Sequence, residues 1–246
     1  MKVLLMVVLM VLAASRPGYS QAIDDITFYT ENFPPFNFKE DGRLRGISAD
    51  VLAEILKDTG AKKTVQDVIL TDWSAGYAAA LKGPNVGLFS TTRRPDREGL
   101  FKWVGPIHIN SADVIRKKGS TEVLDDPSKI KGFRLAVITN SLGHNTVRNL
   151  GVPENNVFTF ATPDDLIQAL EADKVDLWIF SETVGMWLLR QKGLADKYEA
   201  ALTLVRAPLF FAFSKDVSDD FIEDVQETLD NIKLDDRFDK IRERYN

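Results

Sequence analysis

The hydrophobic positions of the chain follow two spacings that alternate from residue 23 onward. Short apolar runs predict buried strands, and they are separated by segments in which apolar residues recur every three or four positions, which predicts helices. Strands that alternate with helices favour an α/β fold built around largely parallel sheets. The predicted strands include 26–29, 86–89, 135–138, 157–160 and 175–180.

Capping residues and helix-stopping residues set the predicted bounds of the helices. Ser48 is placed to cap the first helix, and Gly60 is placed to end it in a left-handed conformation. A second helix is predicted over 75–81. Thr162 is a strong predicted helix start, because a proline and two acidic residues follow it. The order of strands and helices begins again near residue 135, so two α/β units are predicted.

The first 22 residues have the pattern of a secretory signal peptide. Lys2 precedes an apolar run over 3–14, and the small residues Ser20 and Ala22 place cleavage before Ile23. The run is shorter than the roughly 20 residues that cross a bilayer, which argues against the alternative of a membrane anchor. The sequence therefore predicts a free protein that is exported to the periplasm.

Composition and charge exclude several classes of function. The 246 residues contain no cysteine and two histidines, which excludes a disulfide framework, a cysteine-ligated zinc site and a cysteine nucleophile. Of 31 basic residues, 29 remain without Lys2 and Arg16, and they face 36 acidic residues, so the net charge becomes −7. That charge gives no attraction to nucleic acid. The sequence indicates no metal or other cofactor and favours a small-molecule partner.

The recognisable motifs of catalysis are missing from the sequence. His108 and His144 lie far apart and form no zinc-binding pair of the His-Glu-x-x-His type. Ser90 lacks the flanking glycines of a hydrolase nucleophile. The glycines do not form a phosphate-binding loop, and the paired aspartates each open a helix, where capping explains them. The sequence thus favours a binding protein.

Arg97 is the leading candidate for ligand binding. A guanidinium can donate two parallel hydrogen bonds to a carboxylate, and the Thr92 hydroxyl and backbone N–H groups near Ser90 can complete such a site. The alternative is that Arg97 forms a solvated cluster with Arg93 and Arg94. Aromatic side chains that could wall a pocket, or else belong to the core, are Phe33, Trp73 and Tyr29.

Several segments together carry a family pattern. They are Phe-Pro-Pro-Phe at 33–36, Gly-Ile-Ser-Ala-Asp-Val-Leu at 46–52, Thr92 with Pro-Asp-Arg at 95–97, Trp-Val-Gly-Pro at 103–106, and the closing segments 211–215 and 238–241. In order and spacing they resemble the family 3 (polar amino acid) extracellular solute-binding proteins, the periplasmic receptors of ATP-driven importers. The resemblance covers nearly all of residues 24–246.

This resemblance implies a two-lobed α/β fold of the periplasmic binding protein kind, type II-like, with two hinge crossovers and a ligand cleft between the lobes. One lobe would combine residues 23–108 with 211–246, and the other would comprise residues 109–210. The lobes are expected to close over the ligand.

The same resemblance implies roles for individual residues. Arg97 would clamp the ligand carboxylate, with help from Thr92 and the backbone at Ser90. The remaining positions that it implies are Phe33 and Trp73 as aromatic contacts. The segment from Thr139 to Leu142, with Asn140 and Ser141, would contact the carboxylate from the second lobe.

One position departs from the family pattern. The family usually places an aspartate after the late strand of the second lobe, where it binds the ligand ammonium, but here residues 175–180 lead into Ser181. An ammonium buried without a counter-charge costs several kcal/mol. Glu182, Glu31 or Asp72 would therefore have to substitute, or the ligand is not an ordinary α-amino acid.

The expected function is a monomeric, non-enzymatic receptor. It would capture an amino acid or a related small carboxylate and deliver it to an ABC permease in the inner membrane. One alternative is an enzyme on the same scaffold, similar to the cyclohexadienyl dehydratases, with Glu182 or Glu31 as proton donor. Another is a ligand-loaded partner of a sensor kinase.

Overall fold

The computed structural model describes residues 22–245, which form ten strands and seven α-helices. The predicted signal peptide therefore lies outside the described residues, except for Ala22. The strands are β1 (Thr27–Thr30), β2 (Phe38–Glu40), β3 (Arg43–Arg45), β4 (Ile69–Leu70), β5 (Val86–Thr92), β6 (Lys102–Lys117), β7 (Leu135–Ile138), β8 (Val157–Phe160), β9 (Leu177–Phe180) and β10 (Tyr198–Phe213). The helices are α1 (Ile47–Asp58), α2 (Trp73–Lys82), α3 (Leu142–Asn149), α4 (Pro163–Glu171), α5 (Glu182–Gln191), α6 (Asp219–Leu234) and α7 (Arg237–Glu243).

Eight of the strands form one mixed sheet, and β2 pairs with β3 apart from it. The order of the large sheet is β4-β1-β5-β10-β6-β9-β7-β8. Strands β4, β1 and β5 are parallel, as are β9, β7 and β8. We call the part around β4, β1 and β5 the first half and the part around β9, β7 and β8 the second half. The mixed α/β fold predicted from the sequence is confirmed.

The two halves are joined by the long antiparallel strands β6 and β10. Each strand has 16 residues, and their pairing runs from Tyr198 opposite Lys117 to Phe213 opposite Lys102. β5 pairs with the last part of β10, whereas β9 pairs with the last part of β6. The register of the pair shifts at three places, where the ladder is locally disrupted. Both connections between the halves therefore lie side by side.

Strands β7 and β9 of the second half are buried on both faces, as expected for parallel strands covered by helices. In β7, Leu135 and Val137 contribute to one core cluster, and Ala136 and Ile138 contribute to the larger one. Successive side chains of a strand point to opposite faces, which produces this division. Within residues 22–245, no helix combines the length and the apolar character needed to cross a bilayer.

Several local predictions are confirmed by the structure. β7 and β8 have the predicted bounds, and Gly60 is left-handed with φ 68°. Thr162 caps α4, where its side chain accepts a hydrogen bond of 3.2 Å from the backbone N–H of Asp165. The stop at Gly60 and the start at Thr162 were thus predicted correctly from the sequence.

The predicted cap of α1 was wrong. The helix begins at Ile47, and the capping position is Gly46 with φ 118°. A Cβ atom at Gly46 would lie 2.4 Å from the carbonyl oxygen of Phe36, so only glycine fits there. Ser48 is fully buried, and its Oγ lies 2.9 Å from Oγ of Ser90. The serine therefore belongs to a buried polar contact with Ser90.

Candidate functional site

A cavity lies between the two halves, at the carboxyl ends of parallel strands from both. Open α/β sheets place ligands at this edge. The cavity has a volume of about 30 Å³, which leaves room for only one or two water molecules. The residues that line it are Glu31, Phe33, Trp73, Ser90, Thr92 and Arg97 from the first half, Asn110 and Ser111 from β6, and Ile138, Ser141, Leu142, Gly143, Phe180 and Ser181 from the second half.

The lining includes nine of the residues proposed from the sequence. Asn140 and Glu182, which are both exposed, are not among the lining residues. Asn140 nevertheless contributes its backbone carbonyl to the site, as described below. The Glu182 side chain lies outside the lining, and Tyr29 also lies outside it.

Arg97 is held in the cavity wall by aromatic rings and backbone carbonyls. It lies in a short 3₁₀ helix that begins at Pro95, and it is only 3% exposed. Its guanidinium carbon lies 5.1 Å from the ring centre of Trp73 and 4.8 Å from that of Tyr77, within the range of cation–π attraction. Nη1 donates a hydrogen bond of 3.3 Å to the carbonyl of Thr92.

Arg97 has no carboxylate partner among residues 22–245, because none of the ion pairs in that range includes it. Burial, and then the charge of Arg94, lower the pKa of Arg97 to about 10. The guanidinium is therefore still charged at neutral pH, and burying it without a counter-ion is costly. A ligand carboxylate would provide the missing charge.

Ser90 lies in a distorted part of β5. Its φ is 57°, and the register between β5 and β10 shifts at this point. The Ser90 hydroxyl contacts Asn37 Oδ1 and Ser48 Oγ, both of which belong to fully buried residues of the first half. Because the hydroxyl is engaged there, the backbone is the part of Ser90 that can serve a ligand. Asn37 also donates from Nδ2 to the carbonyl of Glu31 at 2.6 Å, so it links two lining residues.

The second half contributes the N-terminus of α3. Ser141 caps this helix by accepting a hydrogen bond of 3.2 Å from the backbone N–H of His144. Leu142 and Gly143 form its first turn, whose free N–H groups favour an anion. A Cβ atom at Gly143 would lie 2.4 Å from the carbonyl oxygen of Ile179, so α3 packs against β9 at a distance that only glycine permits. The helix is thereby placed close to the cavity.

The backbone at Asn140 contacts the first half directly. Asn140 has φ 58°, and its N–H donates to Nδ1 of His144 at 3.0 Å, which fixes the turn before α3. Its carbonyl accepts hydrogen bonds from Nη2 of Arg97 at 2.6 Å and from Nε1 of Trp73 at 3.2 Å. These contacts hold the halves together over the small cavity.

Glu31 is the acidic residue of the lining. The half-buried side chain forms no hydrogen bond or ion pair within the described part of the chain. Burial, and then the nearby charge of Asp72, raise the pKa of Glu31 to about 8, although Arg97 opposes the shift. Asp72 itself lines a neighbouring cavity that shares Glu31 and Trp73 with the first. Of the three acids proposed to replace the missing aspartate, Glu31 is the one that lines the site.

The sequence interpretation missed several lining residues. Asn110 and Ser111 form a polar pair inside the long strand β6, and such a pair within an apolar strand is the signal that could have identified them. Ile138 and Phe180 are the last residues of β7 and β9, but nothing distinguishes them in sequence from core residues.

Comparisons with known proteins place the chain among binding proteins. The model of the bacterial extracellular solute-binding proteins, family 3, matches residues 26–246. A probable amino-acid-binding protein of Bacillus subtilis is 25% identical over an alignment of 254 positions. The alignment covers 96% of this chain and 90% of that protein. A probable histidine-binding protein of Campylobacter jejuni is 25% identical over 222 residues, which cover 87% and 81%.

A solved structure has the same fold. The arginine-, lysine-, histidine-binding protein from Geobacillus stearothermophilus superposes with a TM-score of 0.77 at 18% identity, covering 89% of this chain and 94% of that one. At this identity the likeness extends to the two-lobed fold alone.

Proposed function

Because this chain belongs to the bacterial extracellular solute-binding proteins, family 3, we propose that its solute is an α-amino acid, held in the cleft between the two halves. One observation carries the proposal: a single cavity is lined by Arg97, a buried cation without a counter-ion, and by Glu31, an acid without a partner. An α-amino acid carries the complementary pair of charges. The names of the two relatives, one amino-acid-binding and one histidine-binding, agree with it.

The carboxylate end of the ligand is assigned to the Arg97 side of the cleft. The guanidinium fork of Arg97 would bind both oxygens, with the Thr92 hydroxyl and the backbone at Ser90 beside it. The first turn of α3, at Leu142 and Gly143, would add N–H donors from the opposite half, and the capping Ser141 would add its hydroxyl proton. A carboxylate bound in this way bridges the halves and so stabilises the closed form over the open one.

The other lining residues are assigned to the amine and the side chain of the ligand. Glu31 would face the ammonium, which lowers the pKa of Glu31 and restores its charge. Phe33 and Trp73 would form aromatic walls, and Ser181 would contribute a hydroxyl from the start of α5. Asn140 would act through its carbonyl and Glu182 would not contact the ligand.

Ligand entry requires that the halves separate, because the cavity holds only about 30 Å³ in this conformation. The proposed moving bodies are the lobe of residues 23–108 with 211–246 and the lobe of residues 109–210. The paired strands β6 and β10 would form the hinge. Opening breaks the two hydrogen bonds to the Asn140 carbonyl, and closure over a ligand would replace the bond to Arg97 with a stronger one.

The biological setting follows from the family, whose members act outside the cytoplasm. We propose that the protein works as a monomer in the periplasm after removal of residues 1–22, and that it delivers its ligand to an ABC permease of the inner membrane without chemical change. The dehydratase alternative would need Glu31 as proton donor, since Glu182 is exposed and outside the cleft.

The test is ligand binding by refolded, ligand-stripped mature protein. Thermal unfolding is measured with each of the 20 common L-amino acids, with dicarboxylates and with prephenate. A ligand at about 100 times its Kd adds about 2.7 kcal/mol to the free energy of unfolding. We expect at least one L-amino acid to raise the melting temperature in the wild type but not in Arg97→Ala. Turnover of prephenate, or binding of dicarboxylates alone, would contradict the proposal.

A further inference from the structure

Asp113 is a buried acid that the proposed binding mode does not use. It lies in β6 and is 1% exposed. Its Oδ2 accepts hydrogen bonds from Oγ of Ser111 at 2.5 Å and from the backbone N–H of Glu182 at 2.7 Å. Its Oδ1 accepts one from Oγ1 of Thr203 at 2.7 Å. No cation pairs with Asp113 in the range 22–245.

These contacts fix the direction of the hydrogen bonds. Three donors point at the carboxylate oxygens of Asp113, and one of them lies at the positive N-terminal end of α5. A carboxylate can only accept, so Ser111 must give its single hydroxyl proton to Asp113. The remaining lone pairs of Ser111 Oγ can then only accept hydrogen bonds.

Ser111 lines the cleft, and this makes its hydroxyl selective. A ligand carboxylate next to Ser111 would bring its oxygens against the Ser111 oxygen, and neither group could donate a hydrogen bond. The negative charge of Asp113 would also repel it. A ligand N–H group would find an acceptor that a buried negative charge polarises, and in a water-poor interior such a charge acts at longer range than in water.

We propose that Asp113, acting through Ser111, receives the amine end of the ligand. Asp113 is thus a positioning residue, because only Ser111 would touch the ligand. The proposal rests on the amino-acid function above and makes it more specific: an amine becomes a requirement for tight binding. It also accounts for Ser181, because the second half supplies its negative charge from β6 rather than from the residue that follows β9.

Asp113→Asn removes the charge and can preserve the contacts. The amide oxygen can take the place of Oδ2 and accept from Ser111 and Glu182, while the amide nitrogen donates to Oγ1 of Thr203, which can also accept. Ser111→Ala keeps the charge and removes the hydroxyl that relays it. Thr203→Val is the matched control, because it also deletes a hydrogen bond to Asp113. Thr203 is exposed and does not line the cleft.

The experiment compares two probes by calorimetric titration: the L-amino acid that binds the wild type most tightly, and the same acid with hydrogen in place of the α-amine. For D113N we expect a loss of about 10- to 100-fold in affinity for the amino acid, with the affinity for the desamino acid within about twofold of wild type. S111A should show the same pattern at about tenfold. T203V should leave the ratio of the two affinities unchanged.

The outcomes separate the two proposals. Equal loss for both probes in D113N, or no loss for either, would overturn the role of Asp113 while leaving the amino-acid function intact. A wild type that binds no L-amino acid would instead refute the proposed function, and the role of Asp113 would fall with it.

Discussion

Nη2 of Arg97 donates a hydrogen bond of 2.6 Å to the carbonyl oxygen of Asn140, across the boundary between the two halves. The acceptor is a neutral peptide group, whereas the donor is a buried cation. A carboxylate at the same place would add its negative charge and could accept two parallel hydrogen bonds from the guanidinium. In the proposed binding mode a ligand carboxylate would compete with the Asn140 carbonyl for Arg97, and its negative charge would give it the advantage.

Arg97→Ala should weaken amino-acid binding by about 100-fold or more, because it removes the buried partner of the ligand carboxylate. Arg97→Lys should recover only part of the affinity, since an ammonium cannot form the two parallel bonds. The Kd of the tightest L-amino acid, measured by calorimetry, checks both. Arg93→Ala is the control: Arg93 lies in the same loop but pairs with exposed Glu98. Unchanged affinity in Arg97→Ala would contradict the assignment.

Glu31→Gln should alter how stability depends on pH in the ligand-free protein. Burial raises the pKa of Glu31 from its usual 4.5 to about 8. Between these values the folded protein holds a proton that the unfolded chain has lost, so the free energy of unfolding of the wild type falls as pH rises from about 4.5 to about 8. E31Q has no ionisable group at this position, so its free energy of unfolding should not show this fall. The two proteins should differ little at pH 4.5, and E31Q should be more stable by on the order of 1–3 kcal/mol at pH 8.

Urea unfolding at pH 4.5, 6.5 and 8 measures this difference. Glu98→Gln is the comparison, because the hydrogen bond from Arg93 lowers the pKa of Glu98. Its carboxylate contributes stability above the usual pKa and loses it as pH falls, so E98Q should show no gain at pH 8. An E31Q curve parallel to that of the wild type would contradict the burial of an acid in the closed cleft.

Gly143→Ala should destabilise the protein although alanine is the better helix former. In an open helix position the change would add about 1 kcal/mol of stability. Here the new Cβ atom would lie 2.4 Å from the carbonyl oxygen of Ile179, so α3 must move away from β9. We expect a lower melting temperature and weaker amino-acid binding. Gly132→Ala is the control, because nothing lies within 4 Å of its Cβ position. A stabilised G143A would contradict the close packing.

Trp73→Phe should favour the open form of the ligand-free protein. The substitution removes the hydrogen bond from Nε1 to the Asn140 carbonyl and keeps an aromatic ring in the wall. Small-angle X-ray scattering without ligand should give a larger radius of gyration than for the wild type. Trp103→Phe removes a comparable bond, to the carbonyl of Glu98 within the first half, and should leave the radius unchanged. Equal radii for all three proteins would mean that this contact does not hold the halves together.

The parts of the fold that could be predicted from the sequence are those governed by local backbone chemistry. Strand β7 was predicted because it is a run of four apolar residues, and β8 because three of its four residues are apolar. The start of α4 was predicted because Thr162 precedes a proline. The length of β6 and β10 was missed, since Gly105, Pro106 and Pro208 interrupt their pattern while partner strands hold them in the sheet. The spacing of apolar residues within one segment does not indicate which distant strand it pairs with.

The candidate site could be assembled from sequence only where a residue type carried its own signal. Arg97, Trp73 and Phe33 stood out through the family pattern, and their presence in the same cavity agrees with it. The Asn140 carbonyl could not be foreseen, because a backbone group carries no residue-specific signal. Asp113 could not be foreseen either, since its partners come from three separate elements, β6, α5 and β10.

The side-by-side course of β6 and β10 makes the second half a modular insertion. Its chain leaves and returns where Ile109 pairs with Pro208, so both junctions sit next to each other in one ladder. Homologous recombination or deliberate grafting at this residue pair could exchange the segment between them as one unit, without interrupting the core around β1 and β5. Arg97 and Glu31 would stay with the host, whereas Asp113 and the N-terminus of α3 would travel with the graft. The proposed contacts to the carboxylate and to the amine would therefore each be shared between host and graft.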